Sequence, residues 1–212
     1  MKTKKFTTSQ LTILGLMAGI LFLMAYTPLG CLNIGPLAVT FNVIPVAVCA
    51  IVLGPTGGAI AGAVFGLTSF MQAIGIGGVS ALGSALFQIN PFMTAVQWFG
   101  PRILDGICIG FIYRAVHKKA NTYVSCAVTG FFSAFLNTLF FMTALIVMFG
   151  NTELIRNLMG GHNIIVGCCL MVGVNAISEM VSSTIITAAV GTALSKAHLI
   201  PAVQIVKTDT AA

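Results

Sequence analysis

Long apolar runs separated by short polar or Gly/Pro-rich stretches set the pattern of this chain. The runs fall at about 11–26, 39–53, 58–74, 92–116, 124–149 and 164–194. A helix needs about 20 mainly apolar residues to cross the hydrocarbon core of a bilayer. Six transmembrane helices in one integral membrane domain over 1–212 are therefore expected. The second run is short and contains Pro45, which inside a helix frees a carbonyl that lipid cannot satisfy, so this segment is expected to be buried in the bundle. In the third, Gly58, Gly62 and Gly66 recur every fourth residue and give one face on which a neighbouring backbone can approach closely.

The connections follow from what interrupts these runs. Thr27 to Pro36 is rich in Pro and Gly and reads as an external loop, and Gly54-Pro55-Thr56-Gly57 as a cytoplasmic turn. Gly75 to Asn90, weakly apolar and rich in Gly and Ser, reads as a long external connection able to cover a site as a lid. Asn151 to Asn163 is the last external loop. Tyr26, Tyr113 and Tyr123 fall at span ends, where amphipathic rings favour the membrane interface.

Composition agrees with the pattern: 7% of residues are charged and 58% hydrophobic, against about 25% charged in a soluble domain. The net charge of +6 forms no patch of the kind that binds nucleic acid. Lys2, Lys4 and Lys5 precede the first span, Arg114, Lys118 and Lys119 follow the fourth, and Lys196 and Lys207 follow the sixth. Basic residues are retained on the cytoplasmic side, so both termini are expected there. The basic start resembles the opening of a signal peptide, but no small-x-small site follows it cleanly, and it reads as a retained first span.

Candidate chemistry then rests on a few polar residues. A charge at the centre of a membrane helix costs about 2.5–3.5 kcal/mol on insertion scales, so Arg102, Asp105 and Glu179 each need a partner or a wet cavity. Arg102 and Asp105, three apart, are able to satisfy one another. Alternatively, Trp98 and Arg102 on one face, with Gln97 beside them, suit a small organic ligand carrying a carboxylate, phosphate or amide. Asn175 and Glu179 are one turn apart, as are Ser178 and Ser182, and Asn137 interrupts an apolar stretch; interhelical glue and ligand contact both fit these residues. In the first span Gly15 and Gly19, with Ala18 beside them, form a small-residue face whose spacing favours internal packing.

Other classes lose support. There is no phosphate-cradling Gly-rich loop ending in Lys and Ser/Thr, no pair of intramembrane Asp residues and no Gly-x-Ser-x-Gly element. These absences argue against an enzyme. The six cysteines have no metal-ligand spacing, so no metal, cofactor or disulfide is assigned.

The ordered strings Thr27-Pro-Leu-Gly30, Ile34-Gly-Pro-Leu-Ala38, Ile44-Pro45-Val46, Val52-Leu-Gly-Pro55, Val64-Phe-Gly-Leu-Thr-Ser69, Asn90-Pro91, Pro101-Arg102-Ile103-Leu104, Asn137-Thr138 and Asn175-Ala-Ile-Ser-Glu179 resemble the substrate-binding S components of energy-coupling factor (ECF) vitamin transporters. The pantothenate-type members are the nearest in look. The resemblance implies an all-α, six-helix S component in a bacterial plasma membrane. It implies a vitamin bound beneath the external loops by residues among Asn42, Asn90, Gln97, Trp98, Arg102, Asn137, Asn175 and Glu179. It also implies a membrane-embedded coupling (T) subunit, two separate ATPase subunits, and docking of the coupling subunit at Gly15, Ala18 and Gly19, reversing the preference for internal packing. Members with the Ile-Pro-Val string often carry His just before it, where this chain has Asn42 and Val43. Pantothenate is the first expectation, with riboflavin, folate or another vitamin behind it. An intramembrane enzyme using Glu179 or Asp105, and a secondary transporter acting alone, are the rival classes.

Overall fold

A computed structural model describes residues 7–27, 31–33, 38–77, 80–158 and 164–200, with backbone alone for 31–33, 38–40, 164–172 and 174. The basic residues at 2–5 and Lys207, and most of the loop strings between Thr27 and Ala38, lie outside the described residues.

The first helix, α1 (Thr8–Tyr26), is opened by a capping box in which Thr7 Oγ1 accepts from Gln10 N–H and Gln10 Oε1 accepts from Thr7 N–H. Two orphan donors are thereby satisfied at once. Two three-residue strands follow, β1 (Cys31–Asn33) and β2 (Ala38–Thr40), paired antiparallel with Cys31 opposite Thr40. The second apolar run therefore begins as a strand rather than a helix.

Next comes α2 (Val43–Ala73), which is interrupted at Gly54 by φ 74° and ψ −162°. A Cβ built on Gly58 would lie 3.0 Å from the Cβ of Ala50, whereas eight residues of straight helix span about 12 Å. The chain thus folds back at Gly54, and residues 43–53 and 55–73 form two limbs packed on each other. Val46, Ala47 and Ala50 of the first limb share a core with Ala61 and Phe65 of the second. Gly54 supplies the positive φ that other residues resist, and Pro55 opens the second limb. The expected turn and two flanking helices are present.

Pro45 behaves differently from the expectation. It occupies the third position of α2, where backbone N–H groups lack an intrahelical acceptor anyway, so no carbonyl is freed. The first limb is nonetheless buried from Val43 to Leu53, because other helices surround it.

The supposed loop after Ile74 contains a helix, α3 (Ala81–Ile89), capped by Ser80 Oγ accepting from Gly83 N–H at 3.1 Å. Leu82 and Leu86, one turn apart, are buried in a core with Trp98, Phe141 and Phe149. Gly83 and Ser84 dilute the apolar signal without removing that spacing.

Two long helices then follow, α4 (Pro91–His117) and α5 (Thr122–Phe149), capped by Asn90 and Asn121 side chains that accept from Met93 and Val124 N–H. The connection after α5 holds a short helix, α6 (Glu153–Leu158), whose Ile155 is fully buried, and 159–163 lie outside the described residues. The chain's last helix is α7 (Ile164–Lys196).

Among the described residues four helices are long and apolar enough to cross a membrane: Thr8–Tyr26, Val43–Ala73, Thr122–Phe149 and Asn175–Lys196. The protein is a helical, multi-pass membrane protein. Its closest seam joins the second limb of α2 to α4. A Cβ on Gly58 would strike the carbonyl oxygen of Gly106, one on Gly62 that of Arg102, and one on Gly110 the backbone of Pro55. The glycine face therefore brings the two backbones into direct contact. Helices α4, α5 and α7 pack in turn, whereas α1 rests mainly on α2.

Candidate functional site

The inner face of α4 follows from its sequence: Thr94, Gln97, Trp98, Pro101, Arg102, Asp105, Ile109 and Tyr113 are buried at helical spacing. This stripe combines a cation, a carboxyl group, an amide and an indole in one row. Arg102 stands eleven residues into the helix, about 16 Å along its axis, near mid-length. Tyr113, expected at the membrane interface, is instead 1% exposed and stacked on His117 with ring centroids 5.1 Å apart.

Arg102 lies between aromatic faces from three helices. Its guanidinium carbon is 4.4 Å from the ring centroid of Phe65 on α2, 4.7 Å from Trp98 and 5.4 Å from Phe141 on α5. Each of these distances is within cation–π range. Nη1 donates to the Trp98 carbonyl at 3.2 Å, while Nε is buried without an acceptor. Asp105 and Glu179 both lie within electrostatic reach of this cation. The expected pairing with Asp105 is thus shared with α7.

The candidate amides Asn42, Gln97, Asn137 and Asn175 are buried as well. Gln97 Nε2 donates to the Phe141 carbonyl at 2.8 Å, tying α4 to α5, and its Oε1 is buried without a partner. Trp98 Nε1, Asp105 Oδ1 and Asn137 Oδ1 are also buried without a hydrogen-bond partner. Asn175 and Glu179 are each 6% exposed. Asn42 precedes α2, makes no side-chain cap, and has a buried Oδ1 without a partner. Ser133 Oγ donates to the carbonyl of the adjacent Val43 at 3.3 Å, which sets the start of α2 against α5 one turn from Asn137. A buried polar atom left unpaired costs about 1–3 kcal/mol, so this concentration is unusual outside a binding site.

Asn90 stands apart. Its side chain caps α4, about 18 Å along the axis from Arg102. Ser178 is exposed, and Ser182 Oγ bonds back to the Ser178 carbonyl at 2.7 Å, so that row turns away from the cluster. The inward row of α7 is Asn175, Glu179, Ser183 and Thr187, and α5 opposes it with Ser125, Thr129, Ser133 and Asn137, all buried. Two four-residue ladders of polar positions were readable in the sequence and went unrecognised, as did Phe65 and Phe141. The signal for the ladders was a strict spacing of four.

An apolar cavity of about 380 Å³ lies elsewhere, between α1, the first limb of α2 and α7, lined by residues such as Met17, Phe41, Pro45 and Ile186. Among the described residues its wall offers no polar side chain to orient a charged ligand. The small-residue face of α1 points outward: Gly15 and Gly19 are exposed, Ala18 is half-buried, and a Cβ on either glycine would meet nothing within 4 Å. Internal packing, favoured by spacing alone, is not the use of this face. Among the described residues no group of three His, Cys, Asp or Glu is placed to hold a metal ion.

Residues 9–191 match the family described as "ECF transporter, substrate-specific component". The chain belongs to this family. The S component is 33% identical over 178 residues to the "Pantothenate transporter PanT" of Leuconostoc mesenteroides subsp. mesenteroides, covering 81% of each chain. It is 28% identical over 208 residues to the "Pantothenic acid transporter PanT" of Lactococcus lactis subsp. cremoris, covering 92% of this chain and 98% of the relative. As an S component it is a transport subunit rather than an enzyme.

Proposed function

We propose that this S component captures pantothenate at the Arg102 cluster and delivers it through an ECF importer in a bacterial plasma membrane. The names of the two relatives support the choice of vitamin. The observation that carries the reading is Arg102, 6% exposed, with three aromatic faces around it and unpaired polar atoms beside it. A guanidinium is matched to a carboxylate, and pantothenate has one. Gln97, Asn137, Asn175 and Asn42 supply amides for its central amide and hydroxyl groups, Phe65 and Trp98 supply apolar surface for its methyl groups, and Glu179 neutralises the guanidinium when no ligand is present. Asn90 is assigned the external end of α4 rather than the ligand.

The same reading takes the two limbs of α2 as separate crossings. With α1, α4, α5 and α7 they make six spans in one domain, with both termini and the Lys118–Lys119 turn on the cytoplasmic side. Transport then requires a membrane-embedded T subunit and two ATPase subunits in separate chains. The outward face at Gly15, Ala18 and Gly19 is assigned to the T subunit, since among the described residues a Cβ on either glycine meets nothing.

The test is a vitamin panel added to the detergent-purified protein and followed by thermal unfolding. A ligand at a hundred times its dissociation constant adds about 2.7 kcal/mol, so pantothenate should raise the melting temperature by several degrees. A response to riboflavin or folate in its place reassigns the vitamin, and no response to any vitamin removes the reading. Proteoliposome uptake by this chain alone, driven by an ion gradient, would instead identify a solitary transporter.

A further inference from the structure

The charged groups of the bundle form a short inventory. Helices α1, α2, α3 and α5 contain no Asp, Glu, Lys, Arg or His. Helix α4 contributes Arg102 and Asp105 to the interior, α7 contributes Glu179, and Arg114, His117 and Lys196 lie in the final turns of these two helices. On α6, Glu153 and Arg156 are exposed. The thiols and phenols nearby, Cys49, Cys108, Cys126 and Tyr113, are uncharged at neutral pH. Among the described residues the interior therefore holds one permanent cation and two carboxyl groups, each more than nine-tenths buried and both within electrostatic reach of the cation.

With both carboxyl groups ionised the cluster would carry one net negative charge, in a region where an unbalanced charge is costly. One proton held by either Asp105 or Glu179 makes the cluster neutral. Asp105 Oδ1, buried without a hydrogen-bond partner, is an oxygen on which a proton can reside. A ligand carboxylate seated at Arg102 adds a second negative charge. Neutrality is restored when the remaining carboxylate oxygen is protonated as well.

We infer that this S component takes up one proton from water onto the Asp105–Glu179 pair for each carboxylate it binds at Arg102. The inference rests on the proposed capture of pantothenate at that residue. The step is balanced: one ligand anion and one proton leave water, no covalent bond of the ligand changes, and the interior gains no net charge. Because the bound state holds the extra proton, affinity is greatest at low pH and falls as pH rises. In the range where the free pair holds one proton and the occupied pair two, linkage makes the fall about tenfold per pH unit. A neutral ligand of the same shape places no charge at Arg102 and has no such dependence.

Isothermal titration of the purified protein with pantothenate, in buffers of different ionisation enthalpy between about pH 6 and pH 8, counts the protons directly. The expected result is about one proton taken up per pantothenate, and none for its primary-alcohol analogue, which lacks the carboxylate. In Asp105→Asn or Glu179→Gln one carboxylate remains to balance Arg102, so the proton count should stay near one, and only the variant that carries both substitutions should lose it. The wild-type count decides the matter even where a variant fails to fold. Pantothenate binding with no proton uptake and a pH-independent affinity overturns the inference and leaves the function standing. No pantothenate binding at any pH overturns both.

Discussion

Gly62→Ala, compared with Gly100→Ala, tests whether the α2–α4 seam fixes the position of Arg102. Both residues lie inside helices, so each substitution gains about 1 kcal/mol of helix propensity, which cancels in the comparison. Their surroundings differ. A Cβ on Gly100 meets nothing within 4 Å, whereas one on Gly62 would lie 2.8 Å from the carbonyl carbon of Arg102, 3.2 Å from Ile103 Cα, and closer still to the Arg102 carbonyl oxygen. These are backbone atoms, so no rotamer change relieves the contact and the helices must part. Overpacking of this kind costs about 1–3 kcal/mol. At about 2–4 °C per kcal/mol for a chain of this size, Gly62→Ala should melt about 2–12 °C below Gly100→Ala in detergent. Pantothenate affinity should fall in Gly62→Ala alone, since the residue displaced is Arg102. Melting of Gly62→Ala at or above Gly100→Ala would show that the seam does not hold Arg102 in place.

Three further outcomes follow from the same geometry. Arg102→Lys keeps the charge but not the planar fork, and a charged hydrogen bond is worth about 1.5–3 kcal/mol. Pantothenate should therefore bind about 10- to 150-fold more weakly by calorimetry, and an unchanged affinity would separate Arg102 from the ligand. Asn121→Ala removes the cap on Val124 N–H and should lower stability by about 1 kcal/mol, measured by thermal melting, with no change in affinity. Gly19→Leu adds bulk where none of the described residues is met, so melting and pantothenate binding should be unaffected. Uptake by cells expressing the whole transporter should be lost; normal uptake would exclude this face as the docking surface.

The long helices were legible because a bilayer crossing requires a length of apolar sequence, and the ends of α4, α5 and α7 fall within a few residues of the expected limits. Where a short segment does not obey that constraint, reading by hydrophobic runs fails. Ala38–Thr40 is as apolar as a helix start yet pairs as a strand, and α3 carries only two buried leucines per two turns. Gly58, Gly62 and Gly66 announced a close helix contact, but which helix accepts it depends on tertiary register. The polar candidates were found because charge and amides are rare in a membrane interior. Ser183 was missed in favour of Ser178 and Ser182 because the helix rotation that turns one inward and the other outward is set by packing. Phe65 and Phe141 were missed for another reason: among fifteen phenylalanines, none is distinguished until the cation beside it is located.

The distribution of packing across the bundle matches what a captured anion requires. A guanidinium recognises a carboxylate well only if it does not move to do so, because ordering side chains on binding lowers affinity. Arg102 is held by its own helix through Nη1, bounded by three aromatic rings, and fixed in depth by a backbone contact at Gly62 that leaves no room for sliding. Helix α1 has no comparable constraint: it leans mainly on α2, faces an apolar cavity beside α7, and carries exposed Leu11, Leu16 and Leu23 along with its glycines. The rigid part of the molecule is thus the part that carries charge, and the sparsely packed part is apolar and turned outward. A partner engaging α1 would gain apolar contact without disturbing the register between α2 and α4, so docking by itself has no means of loosening Arg102. In the proposed mechanism, release of the solute then draws on work done on the whole bundle by other chains.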